Sequence, residues 1–275
     1  MPELPEVEVV RRQLEFHLVG ASIQKIWIGR ADIVRHGFLK LPWLTNSRIT
    51  EIRRQGKSIA MDCEREGERL LFVAELGMTG LLLFDRQMVP SEKHLHMTMS
   101  LLNSQPATLH YWNARRFGRL HVLDKQEWEG YQQRRFGIDP LTVSEPEFVA
   151  LIKGCRGRVK SLLLHQQRIA GIGNIYANEM LFRAGIHPHA HGNRLSKRRI
   201  TVLFHEMRKV LSEAIGQGGS SIRDFLAPDG TPGLFQEQHQ IYQKYGRSCM
   251  HGCVTPIRRF VAERSSFFCP TCQKR

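Results

Sequence analysis

From Val7 the apolar positions Val7, Val10, Leu14 and Leu18 recur at steps of three and four, the period of one helix face, and Gly20 ends the run. The spacing predicts an N-terminal helix packed through that face. From there to about Asp124 the pattern changes to β-branched and alternating segments, among them Ile23 to Ile28, Ile49 to Asp62 and Leu70 to Ala74. The clearest alternation sets Leu95, Met97, Met99 and Leu101 on one side of a strand and His94, His96, Thr98 and Ser100 on the other. This half reads as a β-sandwich or flattened barrel capped by the first helix. Beyond Pro140 helical signals take over, opening with Ser144-Glu145-Pro146-Glu147, a capping box with proline in the first turn. Ser196 then caps a longer helix whose stripe Ile200, Leu203, Phe204, Met207, Val210, Leu211, Ala214 and Ile215 stops before Gly216, Gly218 and Gly219. Between the halves, Lys125 to Thr142 is rich in Gln, Arg and Gly and reads as a linker. The expected class is α+β, with no internal repeat.

Composition narrows the partner. The 275 residues are 41% hydrophobic and 24% charged, enough for a sizeable core in two domains. Forty Lys and Arg against twenty-six Asp and Glu give a formal charge of +14, which points to a polyanion, nucleic acid ahead of an anionic membrane surface. The start Met-Pro-Glu-Leu-Pro-Glu has neither the basic flank nor the apolar run of a secretory signal, and no stretch approaches the roughly 18 apolar residues of a membrane span. The expectation is a soluble intracellular protein with reduced thiols, so its six cysteines do not read as a disulfide framework.

Four of them, Cys249, Cys253, Cys269 and Cys272, form C-x3-C and C-x2-C pairs separated by the length of a β-hairpin. Two pairs on tight turns meet the needs of one tetrahedral structural Zn2+, four thiolates leaving no open catalytic position. Ile257, Phe260, Val261 and Phe267 would form that hairpin, and Arg258, Arg259 and Arg264 would be presented from it to a phosphate backbone. Cys63 and Cys155 read as ordinary buried cysteines. In Gly171-Ile172-Gly173-Asn174-Ile175-Tyr176 two glycines precede a helix that Asn174 could cap, either an anion site at a helix N-terminus or a plain packing corner. Arg115-Arg116-Phe117 and Met78 fit either core packing or side chains that enter a duplex and fill the gap left by an extruded nucleotide. With Met1 removed, Pro2 would carry a secondary amine of pKa about 8, able to attack an electrophilic sugar carbon beside Glu3, Glu6 and Lys57. The same Pro and Glu residues also suit a plain helix start.

Taken in order, these features resemble the formamidopyrimidine-DNA glycosylase family of base-excision repair. The resemblance runs almost end to end through Pro2-Glu3-Leu4-Pro5-Glu6-Val7-Glu8, Leu76-Gly77-Met78-Thr79-Gly80, Glu92-Lys93-His94, Arg115-Arg116-Phe117-Gly118, Gly173-Asn174-Ile175-Tyr176-Ala177 and the cysteine hairpin. It implies a helix-flanked β-sandwich domain over 1–124, a linker over 125–142, a helix-two-turn-helix domain over 143–240 and a zinc finger over 241–275. It further implies a monomeric bacterial enzyme of the cytoplasm and nucleoid acting on damaged double-stranded DNA, with base removal followed by β,δ-elimination. Carried over by motif, Pro2 is the nucleophile at C1′, Glu3 the general acid/base, Glu6 the positioner of the terminus, and Lys57 a phosphate contact that assists proton transfer. Met78, Arg115 and Phe117 match the void-filling residues, and His94, Lys160, Asn174 and Arg264 the phosphate-binding set. The terminal motif and the segment Gly218 to Phe235 resemble those of the oxidised-purine enzymes. A pyrimidine-lesion enzyme of the endonuclease VIII type and a non-catalytic damaged-DNA-binding module are the alternatives. Three positions depart from the family pattern: Glu75 replaces the usual His, Asn113-Ala114 the usual Asp-Pro, and C-x3-C the usual C-x2-C.

Overall fold

The computed structural model describes residues 2–275. Its first helix, α1 (Leu4–Leu18), buries Val7, Val10, Leu14 and Leu18, the face the periodicity marks. It begins earlier than that stripe because Pro5 suits a first turn and the Glu6 carboxylate accepts from the Glu3 N–H at 2.7 Å. Nine strands follow: β1 (Ser22–Ile28), β2 (Val34–His36), β3 (Arg48–Gln55), β4 (Ser58–Arg65), β5 (Glu68–Glu75), β6 (Gly80–Leu83), β7 (Leu95–Leu102), β8 (Thr108–Asn113) and β9 (Arg119–Leu123). The apolar segment Ile49 to Asp62 is thus a hairpin, turned at Gly56-Lys57.

The strands hydrogen-bond in the order β2-β9-β5-β4-β3-β1-β7-β8-β6. Between β3 and β1 the ladder is reduced to Ser22 opposite Arg48, a corner at which the sheet doubles over into a sandwich. Ile52, Ile59, Met61, Phe72 and Val122 from one half share a single buried cluster with Leu83, Met97, Met99 and Leu109 from the other, and the stripe of α1 joins it. Each such side chain contributes on the order of 1.5–3 kcal/mol by leaving water. The alternation along β7 holds, except that His96 is also buried, its Nε2 paired at 3.0 Å with the Asn113 carbonyl oxygen.

The segment read as a linker contains a helix, α2 (Lys125–Arg135). It has no apolar stripe, and only Trp128 and Tyr131 are buried, but a reciprocal box starts it: the Asp124 N–H donates to Glu127 Oε2 and the Glu127 N–H to Asp124 Oδ1, each at 2.9 Å. Next come α3 (Glu145–Lys153), opened by the Ser144/Glu147 box, α4 (Val159–Leu164), α5 (Asn174–Arg183) and α6 (Lys197–Gly216). All eight stripe residues of α6 are buried. Two final strands, β10 (Arg258–Val261) and β11 (Ser265–Phe268), pair as an antiparallel hairpin.

The chain divides into two compact units. One runs to Arg134 and also takes Gln217–Gln236; the other comprises Arg135–Gly216 and Glu237–Arg275. The return of 217–236 to the first unit has a packing cause, since Phe225 enters the sandwich core and the Phe84 N–H donates to the Pro228 carbonyl at 2.9 Å.

Candidate functional site

The N-terminal turn is buried to an extent unusual for carboxylates, with Glu3 2% and Glu6 1% exposed. Glu6 uses both oxygens: Oε2 accepts from the Glu3 N–H and Oε1 from the Ser220 N–H, each at 2.7 Å. One carboxylate therefore ties the terminus to the returning 217–236 segment. That approach needs a glycine, because a Cβ on Gly219, at φ +83°, would lie 2.9 Å from Glu6 Oε1. Pro2 borders a cavity of about 90 Å³ together with Met78, Arg115, Arg223, Asp224 and Phe225.

One turn into α1, Glu8 pairs with Arg54 of β3 at 3.0 Å, their side chains 9% and 6% exposed. Burial opposes ionisation of Glu8, but hydrogen bonds from Arg11 and Arg12 and the charge of Arg54 prevail and hold its carboxyl below the usual value. The pair fastens the start of α1 to the strand whose turn carries Lys57, which is half-buried.

The loops of Met78 and Arg115-Phe117 are joined by one chain of hydrogen bonds. Asn113, fully buried, accepts at Oδ1 from Thr79 Oγ1 at 2.9 Å and from the Arg116 N–H at 3.0 Å, and its Nδ2 donates to the Tyr111 hydroxyl at 2.8 Å. Tyr111 donates to the Glu75 carbonyl at 2.8 Å, and Thr79 Oγ1 accepts from the Arg115 N–H at 3.1 Å. Gly77, at φ +61°, admits the second loop because a Cβ there would collide with Gly118. On this frame Met78 is half-buried and Phe117 is 55% exposed, so neither is a core residue. The Arg115 guanidinium lies 4.9 Å from the centre of the Phe117 ring, a cation–π contact that stiffens the projecting pair. His94 is edge-on to Trp112 at 5.9 Å. Glu75 directs its carboxylate the other way, accepting from His121 Nε2 at 3.1 Å and from the Tyr131 hydroxyl.

The sequence reading missed this clamp. Its signal was Asn113 three residues before Arg116, a side-chain-to-backbone turn pattern, and Tyr111 two residues earlier on the same strand, but the Thr79 partner is set by sheet register.

In the second unit Asn174 does not cap α5. Gly173 occupies the cap, and Asn174 Oδ1 accepts from Asn178 Nδ2 at 3.2 Å, the glycine having freed the asparagine to enter the first turn. Lys160 is 5% exposed and faces inward, its Nζ donating to the Ser265 carbonyl and Ser266 Oγ, each at 2.8 Å, and to Asn178 Oδ1 at 3.4 Å. Arg264 is exposed beside Arg158 and Ser161. Of the hairpin's apolar residues, Ile257 and Phe267 pack against Phe182 and Ile241, whereas Val261 is 67% exposed. Cys63 is buried, which pushes its thiol up to about 12; Cys155 is only half-buried.

The four terminal cysteine sulfurs all lie within 4.8 Å of one another. Cys249–Cys272, Cys253–Cys272 and Cys253–Cys269 are separated by 3.7, 3.5 and 3.4 Å. A tetrahedron with Zn–S bonds of about 2.3 Å has edges of about 3.8 Å, so the donor set fits a metal such as zinc despite the extra residue in C-x3-C.

The signature of the formamidopyrimidine-DNA glycosylase N-terminal domain matches residues 1–120, and that of the formamidopyrimidine-DNA glycosylase H2TH domain residues 136–226. The chain is 42% identical to the formamidopyrimidine-DNA glycosylase of Solibacter usitatus and 38% identical to that of Dechloromonas aromatica, covering 100% and 99% of this chain and all of each relative. Among solved structures, the Lactococcus lactis Fpg in complex with DNA containing an abasic site superposes with a TM-score of 0.87 at 34% identity, covering 99% of this chain and all of that one. A point mutant of the same protein with Fapy-dG containing DNA gives 0.87 at 34% over the whole of both chains. With both signatures in place and full-length identity to these relatives, the chain belongs to the formamidopyrimidine-DNA glycosylase family.

Proposed function

We propose that this protein is a bifunctional DNA glycosylase and abasic-site lyase of base-excision repair that removes oxidised purines, 8-oxoguanine and formamidopyrimidines, from duplex DNA. The observation that carries the reading is Pro2 at the edge of a cavity shared with Met78 and Arg115, its backbone fixed by buried Glu3 and Glu6. Once Met1 is removed, the Pro2 nitrogen attacks C1′ of the damaged nucleotide. The glycosidic C–N bond breaks and the base leaves with a proton; Glu3 then protonates O4′ as the C1′–O4′ bond opens, and the proline nitrogen, having lost its own proton, forms the C1′=N+ iminium. The iminium that results acidifies the C2′ proton. Its removal expels the 3′ phosphate and a second elimination expels the 5′ phosphate, so one covalent intermediate serves both activities.

In this reading Lys57 contacts phosphate beside the lesion, and Met78, Arg115 and Phe117 occupy the space an extruded nucleotide leaves. Arg264, His94 and Asn174 meet the backbone. Lys160 acts by holding α4 against β11, in keeping with its inward ammonium. Cys249, Cys253, Cys269 and Cys272 would hold one Zn2+, which when bound supplies a rigid fold and no reaction step.

The test is a panel of duplexes carrying 8-oxoguanine, a formamidopyrimidine, an oxidised pyrimidine or an undamaged control. Fastest excision of the two purine lesions is expected. Preference for the oxidised pyrimidine would move the assignment to the endonuclease VIII type. No excision from any duplex, with Met1 confirmed absent, would leave only a damaged-DNA-binding module.

A further inference from the structure

The second unit carries a basic cavity that this chemistry does not use. It measures about 470 Å³, and its charged wall is Arg158, His189, His191, Arg194 and Arg275, with no acidic side chain in the lining. Among the described residues, none of the three guanidinium groups has an ion-pair partner. The His191 ring is held by its Nδ1 against the Arg156 carbonyl at 2.7 Å, leaving Nε2 for a ligand. His189 lies against Phe260 of β10, ring centres 4.0 Å apart, with its Nε2 buried and lacking a hydrogen-bond partner. Burial, with the charges of Arg158 and Arg275, holds that imidazole below its usual pKa.

Clustered like charges destabilise a fold unless an anion neutralises them, and the guanidinium fork matches phosphate oxygens. We propose that this cavity is a phosphate-binding site whose occupant is the sugar-phosphate backbone of duplex DNA, an inference that rests on the DNA-binding part of the proposed function. Two observations favour a polymer over a free anion. A second, smaller cavity shares Arg158 and His189 with the first and reaches Arg264; its one carboxylate, Glu263, accepts from Ser161 Oγ at 3.3 Å, so a predominantly basic wall continues to the finger hairpin. The unit as a whole has 20 Lys and Arg against 8 Asp and Glu, far more charge than one small anion neutralises.

The experiment compares full-length protein with an Arg158→Ser/Arg194→Ser double variant and with Arg158→Lys/Arg194→Lys. Both arginines are exposed, so the fold tolerates the change. Duplex affinity is measured by anisotropy between about 50 and 200 mM salt, where each phosphate contact contributes a slope of about 0.9 in log K against log salt. The double Ser variant is expected to lose about 1.8 from that slope, whereas the Lys variant keeps it and excision at saturating enzyme is retained. An unchanged slope with excision intact would overturn the site and leave the proposed function standing. Absence of excision in the unaltered protein would overturn the function, with the slopes still judging the site. A calorimetric titration with inorganic phosphate identifies the source. Saturable binding abolished in the double Ser variant, with the DNA slope unchanged, would assign the cavity to a free anion and overturn the DNA assignment.

Discussion

The two units carry the same number of basic residues and use them in opposite ways. The sandwich unit sets 20 Lys and Arg against 18 Asp and Glu, while the helical unit with the finger sets 20 against 8. In the first, charge is spent internally: Glu8 on Arg11, Arg12 and Arg54, and Lys40 on Asp124 and Glu127. These pairs position the terminus and the strands around it. In the second, guanidinium groups such as Arg158 and Arg194 have no carboxylate partner among the described residues, as a polyanion-binding surface requires. Under the proposed function the difference separates the labour: reaction chemistry in the balanced unit, and affinity for the DNA backbone in the unbalanced one.

That division predicts which change should touch which property. The largest effect is expected from metal removal, since structural zinc in finger peptides contributes about 10–16 kcal/mol of binding coupled to folding. Chelation should melt the β10–β11 hairpin, seen as loss of its protected amides, and weaken duplex binding. Unaltered binding by metal-free protein would break the division. Next, Glu3→Gln should slow excision by about 10²–10⁴-fold, the usual range for a general acid/base, while leaving duplex affinity nearly unchanged. Equal losses in both would place Glu3 in binding instead.

Glu8→Gln should cost less, because it removes the charge from a buried pair but leaves its shape; a loss of about 3–5 kcal/mol bounds the effect. The sign with pH is fixed by the depressed Glu8 carboxyl. Its contribution is present above the unfolded carboxylate value of about 4.3 and is lost as pH falls through the lower folded value, so urea midpoints of the variant and the parent should converge on acidification. A constant gap down to the lowest pH would show that the pair is not what Glu8 contributes. Asn113→Ala should be the mildest, about 1–3 kcal/mol for the groups left unpaired. Because Asn113 locks the Met78 loop to the Arg115 loop, it should also slow excision of a base more than scission at a preformed abasic site. Parallel loss of the two activities would reduce Asn113 to a stability role.

Where one residue's local pattern dictates structure, the sequence was legible. The α6 stripe, the Ser144 box and the cysteine spacing each carry their own geometry. The helix α2 was not, since it lacks a stripe and is announced only by Asp124 and Glu127. Nor was the return of 217–236 to the sandwich, which depends on Phe225 finding a core more than 100 residues earlier in the chain. At the candidate site, the buried turn of Glu3 and Glu6 could be anticipated from the motif. The second partner of Glu6, Ser220, could not, because a contact across 214 positions leaves no local trace. Lys160 shows the same limit, a lysine whose three protons are all engaged by residues of distant segments.

The central claim, that the Pro2 amine is the nucleophile, is tested most directly by borohydride trapping on a duplex with an 8-oxoguanine or an abasic site. Intact mass of the terminus and peptide mapping of the adduct accompany it, with Pro2→Gly alongside. The account predicts a covalent adduct on the peptide that begins at Pro2, with Met1 absent. An adduct on Lys57 or another lysine, or none from protein whose terminus is confirmed as Pro2, would contradict it.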